Sequence, residues 1–499
     1  MTSKQAPFRS PRPFVRAAAL LLSLGLAGCA DFSGIAPQAK PRDAASVGLA
    51  SQGAGTPVAA QWWQAFGDPQ LDRLIAQALE HNPSLKLAQA RLLRARAVTE
   101  IAESANRPQV NASFDLTHQL YSKNGLVPPP LAGTIQDSST LQLGASWELD
   151  FFGKNRAALD AALGSTRAAQ ADAEAARVLL ASSVAHGYFQ LLRLEDQLRV
   201  AQRTLQQREE MLALVHQRVE AGLDSQLELR QAEGALPEAR QQSEALQEQA
   251  ALARHALAAL IGQPNVDPVL AAQPLAAVHP IPVAPVLPAD LLGRRPDVVA
   301  ARWRVEAATS DVANAKTQFY PNVNLVAFAG FSSIGLDRLL QSDSQQWGVG
   351  PAVRLPLFDG GRLRANLRGR TAELDLAIES YNATVIDAVR DVADQISSMQ
   401  SLARQQDEQR AAQQAAESAY AFARQRYDGG LGNYLQVLSA ETAVLGQRRL
   451  AVDLAARTLD TQVALLRALG GGYRPDTATS SLDSRSPEAL AAAPSAVQH

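Results

Sequence analysis

The chain has 499 residues, enough for two or three ordinary domains, and a formal net charge of -2. A balance so near zero argues against a nucleic-acid binder, which works through a basic face. Aromatics make up 5% of residues while Ala, Gln, Leu, Arg and Glu fill long stretches, which is the composition of extended helices rather than of a compact α/β enzyme.

The chain opens on a targeting signal over residues 1–28. Lys4, Arg9, Arg12 and Arg16 form a positive region, and an apolar run from Ala17 to Leu24 follows that is too short to span a bilayer. It ends in Leu26-Ala27-Gly28-Cys29, similar to a bacterial lipobox, with the sole cysteine of the chain at the expected cleavage point. Acylation of Cys29 leaves no thiol for a disulfide, a metal or a redox site. In bacterial lipoproteins an Asp directly after the cysteine commonly retains the protein in the inner membrane. Ala30 stands there instead, which implies export to the outer membrane. Residues 29–60 read as a tether from the lipid to the first helix.

Two strands come next. Over Gln109–Leu120 the even positions Val110, Ala112, Phe114, Leu116 and Leu120 are apolar, broken only by His118, and their neighbours are polar. Over Leu141–Phe151 the odd positions are apolar and the even ones polar or glycine, without an error. Each segment has about the 9–11 residues of a membrane-spanning β-strand. From Asn155 to Ala221 no proline occurs, which predicts a rod on the order of 100 Å. Its heptad stripe, Val184, Leu191, Leu198, Leu205, Leu212 and Val219, requires a partner helix. The next segment, Asp224 to Ile261, supplies one with Leu229, Leu236, Ala250 and Leu257 at the same period. Between them Gly222 terminates the rod, Asp224 or Ser225 caps the return helix, and Pro237 predicts a kink in it.

A proline-rich linker, residues 264–288, separates this first repeat (61–263) from a second (289–471), and residues 472–499 form an Ala/Ser/Pro-rich tail of disordered composition. The duplication is read from ordered matches. Pro83, Ala88 and Pro108 pair with Pro296, Ala301 and Pro321, and Gly144 and Phe152 pair with Gly350 and Phe358. Gly222, Leu223 and Glu233 pair with Gly430, Leu431 and Glu441, and Gly262 pairs with Gly470. The second copy therefore predicts strands over 322–331 and 346–358, a rod over Leu363–Asp428, and a turn at Gly429-Gly430-Leu431-Gly432-Asn433.

No run of about 18 apolar residues exists in the mature chain, so these strands are the available spanning elements. Four strands cannot close a barrel, and an open edge cannot stand in hydrocarbon, so copies of the chain must share one. Two copies give an eight-stranded barrel filled by side chains, and three give twelve strands and an open lumen. The seven histidines include no His-Glu-x-x-His motif. Gly153-Lys154-Asn155 lacks the other residues of a phosphate loop, and no serine-nucleophile elbow is present. An enzyme is not indicated, nor is a bound cofactor or metal. A structural coiled-coil lipoprotein explains the rods but not the strands.

With "LAGC" at 26–29, "WWQAFGDPQLDRLIAQALEHNPSL" at 62–85, "WELDFFGKNRAALDAA" at 147–162, "AGLDSQLELRQAE" at 221–233 and "YDGGLGNYLQVLSAE" at 427–441, the chain resembles the outer membrane factor (TolC-like) family. Its nearest branch is that of the NodT-type efflux lipoproteins. The resemblance covers Gln61 to Gly472. It implies a mainly α protein with a β-barrel portion: a homotrimer with a twelve-stranded barrel in the outer membrane and a helical tunnel across the periplasm. It implies as partners a periplasmic adaptor, an inner-membrane pump and outer-membrane lipid, with no nucleic acid. The function implied is a passive exit duct for drugs or other small toxic compounds, the alternative being the duct of type I protein secretion. The tunnel tip implied is a closable aperture, with Glu228 at an acidic gate position and Leu435 at an apolar constriction. Gln436 and Ser439 depart from the aspartates that relatives often carry there. Tyr427 either joins a tip hydrogen-bond network or packs beneath the turn. Gly222, Leu223, Gly430 and Leu431 are the implied adaptor-docking tips.

Overall fold

A computed structural model of the chain describes residues 32–49, 57–264, 273–281 and 290–474, so Cys29 and the signal lie outside the described residues. In chain order the main elements are α1 (Pro69–His81), α2 (Pro83–Ser104), β1 (Gln109–Leu120), β2 (Ile135–Leu149), α3 (Lys154–Glu220) and α4 (Gln226–Leu260). The second copy supplies α5 (Pro296–Thr317), β3 (Asn322–Ile334), β4 (Gln345–Arg354), α6 (Arg362–Asp428) and α7 (Tyr434–Ala468). The duplication is thus visible element by element, down to 67 residues in each of α3 and α6 and 35 in each of α4 and α7. Two compact units result, and α3 and α6 supply residues to both.

The first unit contains the sheet, with Leu93–Ala168, Ala301–Tyr381 and the N-terminal segment up to Pro41. Its four strands run antiparallel in the order β1-β2-β3-β4, leaving β1 and β4 with one neighbour each. Residues paired in register share a face, so Phe114, Leu141 and Phe331 stand in one row and Leu143, Ala329 and Trp347 in the next. The apolar sets of all four strands therefore fall on a single face. His118, the break in the alternation, lies opposite Asp137 with Nδ1 2.7 Å from Oδ1. Among the described residues nothing covers this face: Val110 is 71% exposed, Trp347 79% and Val349 66%. The other face is polar or glycine except at Val326, Phe328, Ile334 and Ala352. Phe328 stands between Gly144 and Gly348, and its ring occupies the space a side chain at residue 348 would need.

Strand limits differ from those predicted. β2 begins at Ile135, because Gln136 to Thr140 are polar on both faces and carry no alternation for the sequence to show. β4 ends at Arg354, before Pro356, so Leu355 and Leu357 lie beyond it.

The second unit packs Arg42–Leu92, Ala169–Ala300 and the chain from Asn382. Asp68 caps α1, accepting from Gln70 N at 2.8 Å, with Pro69 at the first helical position. Leu71, Leu74, Ile75 and Ala78 then bury one stripe with Trp62, Trp63 and Phe66, against Tyr188 and Leu191 of α3. The α3 heptad stripe is fully buried at Val184 and Leu191 and half-buried at Leu205 and Leu212, where the seam passes to Met211 and Val215. α4 continues as one helix through Pro237. The closing glycines repeat their packing as well as their place. A side chain at Gly262 would press on the His81 carbonyl, and one at Gly470 on that of Arg294.

Residues 32–49 do not hang free. In the first unit the Phe32 ring meets Phe319 edge-on at 5.1 Å, and Asp375 Oδ1 accepts from Gln38 N and Ala39 N at 2.9 and 3.0 Å. In the second, Asn382 Oδ1 accepts from Arg42 N at 2.8 Å, and Leu49 is fully buried beside Leu291, Val392 and Leu465. The described part of the linker is likewise anchored, with Gln273 Nε2 2.8 Å from the Tyr188 hydroxyl and Leu275 buried.

Candidate gate at the hairpin tips

The turns between α3 and α4 and between α6 and α7 have one geometry. Gly222 and Gly430 take φ of 73° and 71°, a left-handed conformation that ends a helix at low cost only in glycine. The amides of Leu223 and Leu431 then bond back to the carbonyls of Arg218 and Arg426, each at 2.8 Å. Both leucines are left exposed, at 66% and 74%. The return helices start differently. Ser225 caps α4 with Oγ 3.1 Å from Leu227 N, while Glu228 Oε2 accepts from Ser225 N at 2.9 Å, completing a capping box. Asn433 caps α7 alone, accepting from Gln436 N at 3.1 Å.

Asp224 is therefore free for another role. Its carboxylate, 8% exposed, receives Arg218 Nε at 2.9 Å and Nη2 at 3.3 Å, and the Tyr427 hydroxyl of α6 donates to it as well. The Arg218 guanidinium lies 4.5 Å above the centre of the Tyr427 ring, and that ring is 6.1 Å from Tyr434 of α7. Tyr427 is fully buried in a cluster that includes Met211, Val215, Leu229 and Val437, drawn from both hairpins. Burial of the Asp224 carboxyl opposes its ionisation, but the bonds from Arg218 and Tyr427 outweigh that and hold it below the usual aspartate range. The Tyr427 phenol moves upward, through burial and then through donation to Asp224. This arrangement holds two helical hairpins together at their ends.

The residues named from the sequence sort into two groups. Tyr427 is inside the network. Glu228 is not: bonds from Ser225 hold its carboxyl below the usual range and spend it on the first turn of α4. Leu435, Gln436 and Ser439 are exposed together on one side of α7. Arg218 was not foreseen, and Asp224 was read only as a possible cap. The available signal was that Asp224 has Gly432 as its counterpart in the second copy. Among the described residues no cluster of side chains suits a metal, and no helix is long and apolar enough to cross a membrane.

Comparison with known proteins agrees with this architecture. The family described as "Outer membrane efflux protein" matches residues 74–263 and 287–471. The fusaric acid resistance protein FusA of Burkholderia cepacia is 38% identical over 365 residues, 71% of this chain and 69% of that protein. The putative multidrug resistance outer membrane protein MdtQ of Escherichia coli is 34% identical over 426 residues, 83% of this chain and 88% of its own. Among solved structures, the outer membrane protein VceC of Vibrio cholerae superposes with a TM-score of 0.79 at 36% identity, over 84% of this chain and all 100% of its own. The MtrE outer membrane channel of Neisseria gonorrhoeae, described in its open state, gives 0.76 at 28% identity, over 89% of this chain and 99% of its own.

Proposed function

This chain belongs to the outer membrane efflux protein family, and from that premise we propose that three copies form a lipid-anchored exit duct whose periplasmic end is gated by the hairpin tips. An efflux role in the outer membrane follows from the family; the trimer, the anchor, the gate and the partners are the further steps. The observation that carries the assembly of copies is the sheet, with a continuous exposed apolar face and two edges unpaired among the described residues. Such a sheet is stable in a bilayer only when neighbouring copies pair with both edges. Three copies give twelve strands, with the apolar face toward lipid and the polar face toward a lumen. Acylated Cys29 would seat the N-terminus in the same membrane, at the start of a segment that is bound to the body from Phe32 onward.

Leu223 and Leu431, exposed at the two turns, would dock a periplasmic adaptor, through which an inner-membrane pump supplies the energy. Leu435, Gln436 and Ser439 would line the aperture beside Glu228. The names of the relatives, which concern multidrug and fusaric acid resistance, support small toxic compounds as cargo over secreted proteins. Expression in a strain lacking its own efflux duct, with the cognate adaptor and pump supplied, tests the reading. The wild-type protein should run as a trimer and restore drug tolerance, and Cys29→Ser should lose its lipid label. A monomer that restores no tolerance contradicts the proposal.

A further inference from the structure

Some charged contacts of the helical hairpins repeat across the duplication and others do not. Arg240 of α4 pairs with Glu209 of α3 at 3.5 Å, and their counterparts Arg448 of α7 and Glu417 of α6 pair at 2.6 Å. These contacts lie within a hairpin, and both copies have them. A second kind joins one hairpin to the other and has no counterpart. The Asp224–Tyr427 contact is one, since the equivalent residues are Gly432 and Val219. Arg208 with Glu441 is another, since the equivalents are Ala416 and Glu233, and Glu233 binds Arg230 of its own helix instead; farther along, Arg193–Asp453 and His186–Asp460 also join α3 to α7.

Arg208 of α3 reaches Glu441 of α7 with Nε 3.3 Å from Oε2, and the side chains are 11% and 9% exposed. Its Nη1 also donates to the Ala235 carbonyl of α4 at 2.7 Å and lies 3.4 Å from Glu238. One guanidinium on α3 thus touches both α4 and α7. Glu441 is otherwise faced by Tyr420 of α6 and by Tyr434 and Arg448 of its own helix, with Glu238 of α4 repelling it.

We propose that Arg208 is a gate-positioning residue: it is the counter-ion that lets Glu441 remain buried between the two hairpins, forming a second tie above the turns. This rests on the reading of the tips as a gate. A buried carboxylate without its counter-ion disfavours the arrangement that buries it, so loss of Arg208 drives the hairpins apart until Glu441 meets water. Burial already raises the Glu441 carboxyl, against the pull of Arg208. Protonation therefore favours the closed arrangement, and opening in an Arg208 variant is greatest at neutral pH and reverses as the pH falls.

The test is single-channel recording on full-length lipidated trimers in planar bilayers, comparing Arg208→Met, Arg208→Met with Glu441→Gln, Arg208→Lys and Arg448→Gln, with Asp224→Ala in parallel. Arg208→Met should raise open probability by at least about tenfold. Removing the carboxylate as well should return it toward wild type, as should acid, and Arg208→Lys and Arg448→Gln should stay closed. If Arg208→Met does not assemble, Arg208→Lys decides, because opening with the charge retained overturns the proposal. Opening by Arg208→Met that neither Glu441→Gln nor acid reverses reduces Arg208 to packing and overturns it too. If Asp224→Ala opens the channel and Arg208→Met does not, this proposal alone fails; if neither opens it, the gate reading fails with it.

Discussion

The two helical hairpins share a turn geometry and differ in the chemistry placed on it. Gly222 and Gly430 have nearly the same φ, and Leu223 and Leu431 close the same hydrogen bond. Beside the first turn stand Asp224 and Glu228; beside the second, Gly432 and Gln436. The first hairpin therefore offers an acceptor and the second a donor, Tyr427, and the tie exists in one sense only. A duplicated backbone with unlike side chains makes the hairpins separable partners rather than two copies of one support.

Removing the acceptor is the largest way to break this asymmetry. Asp224→Ala leaves a half-buried guanidinium and a buried phenol without their shared partner, a loss of about 1–3 kcal/mol. Hydrogen exchange should show protection falling at both turns together, although only one was altered. The shared geometry gives the next effect. Nothing lies within 4 Å of a side chain added at Gly222 or Gly430, so alanine at either meets only the left-handed backbone. Each substitution should cost about 1–2 kcal/mol, and the two costs should match in thermal unfolding. The caps sharpen the difference at smaller scale. Ser225→Ala loses a cap and the bond its hydroxyl donates to Glu228, and Asn433→Ala loses a cap alone, each about 1 kcal/mol with Ser225 the larger. Exchange rates of the first turns of α4 and α7 measure this. The smallest effect is that of pH on the intact tie. With its carboxyl held below the usual range, Asp224 contributes fully above the ordinary aspartate value, and the contribution is lost as pH falls through the depressed one. Asp224→Asn should abolish that acid loosening of the tips.

What the sequence disclosed follows from what repeats along it. Period two located β1 and β3, heptads located the rods, and glycines at one offset located both turns. The strand from Ile135 to Thr140 was missed because Gln136 to Thr140 are polar on both faces, so alternation had nothing to mark. Residues 32–49 read as a tether because Phe32, Ile35, Ala39 and Leu49 follow no period, yet each finds a pocket on the body. The hairpin tips were legible as a place, and the network that joins them only in part. Asp224 and Tyr427 lie 203 positions apart, and no local spacing announces a bond of that range. Glu228, chosen by resemblance, is held in the first turn of its own helix.

The central claim is that this chain builds a duct held shut by ties between unlike hairpins. Single-channel recording of the lipidated trimer, wild type against Asp224→Ala, tests it most directly. The account predicts a wild-type channel that is mostly closed and a variant with long openings at a higher conductance level. Equal conductance in both, from trimers shown to be inserted in the bilayer, would contradict it.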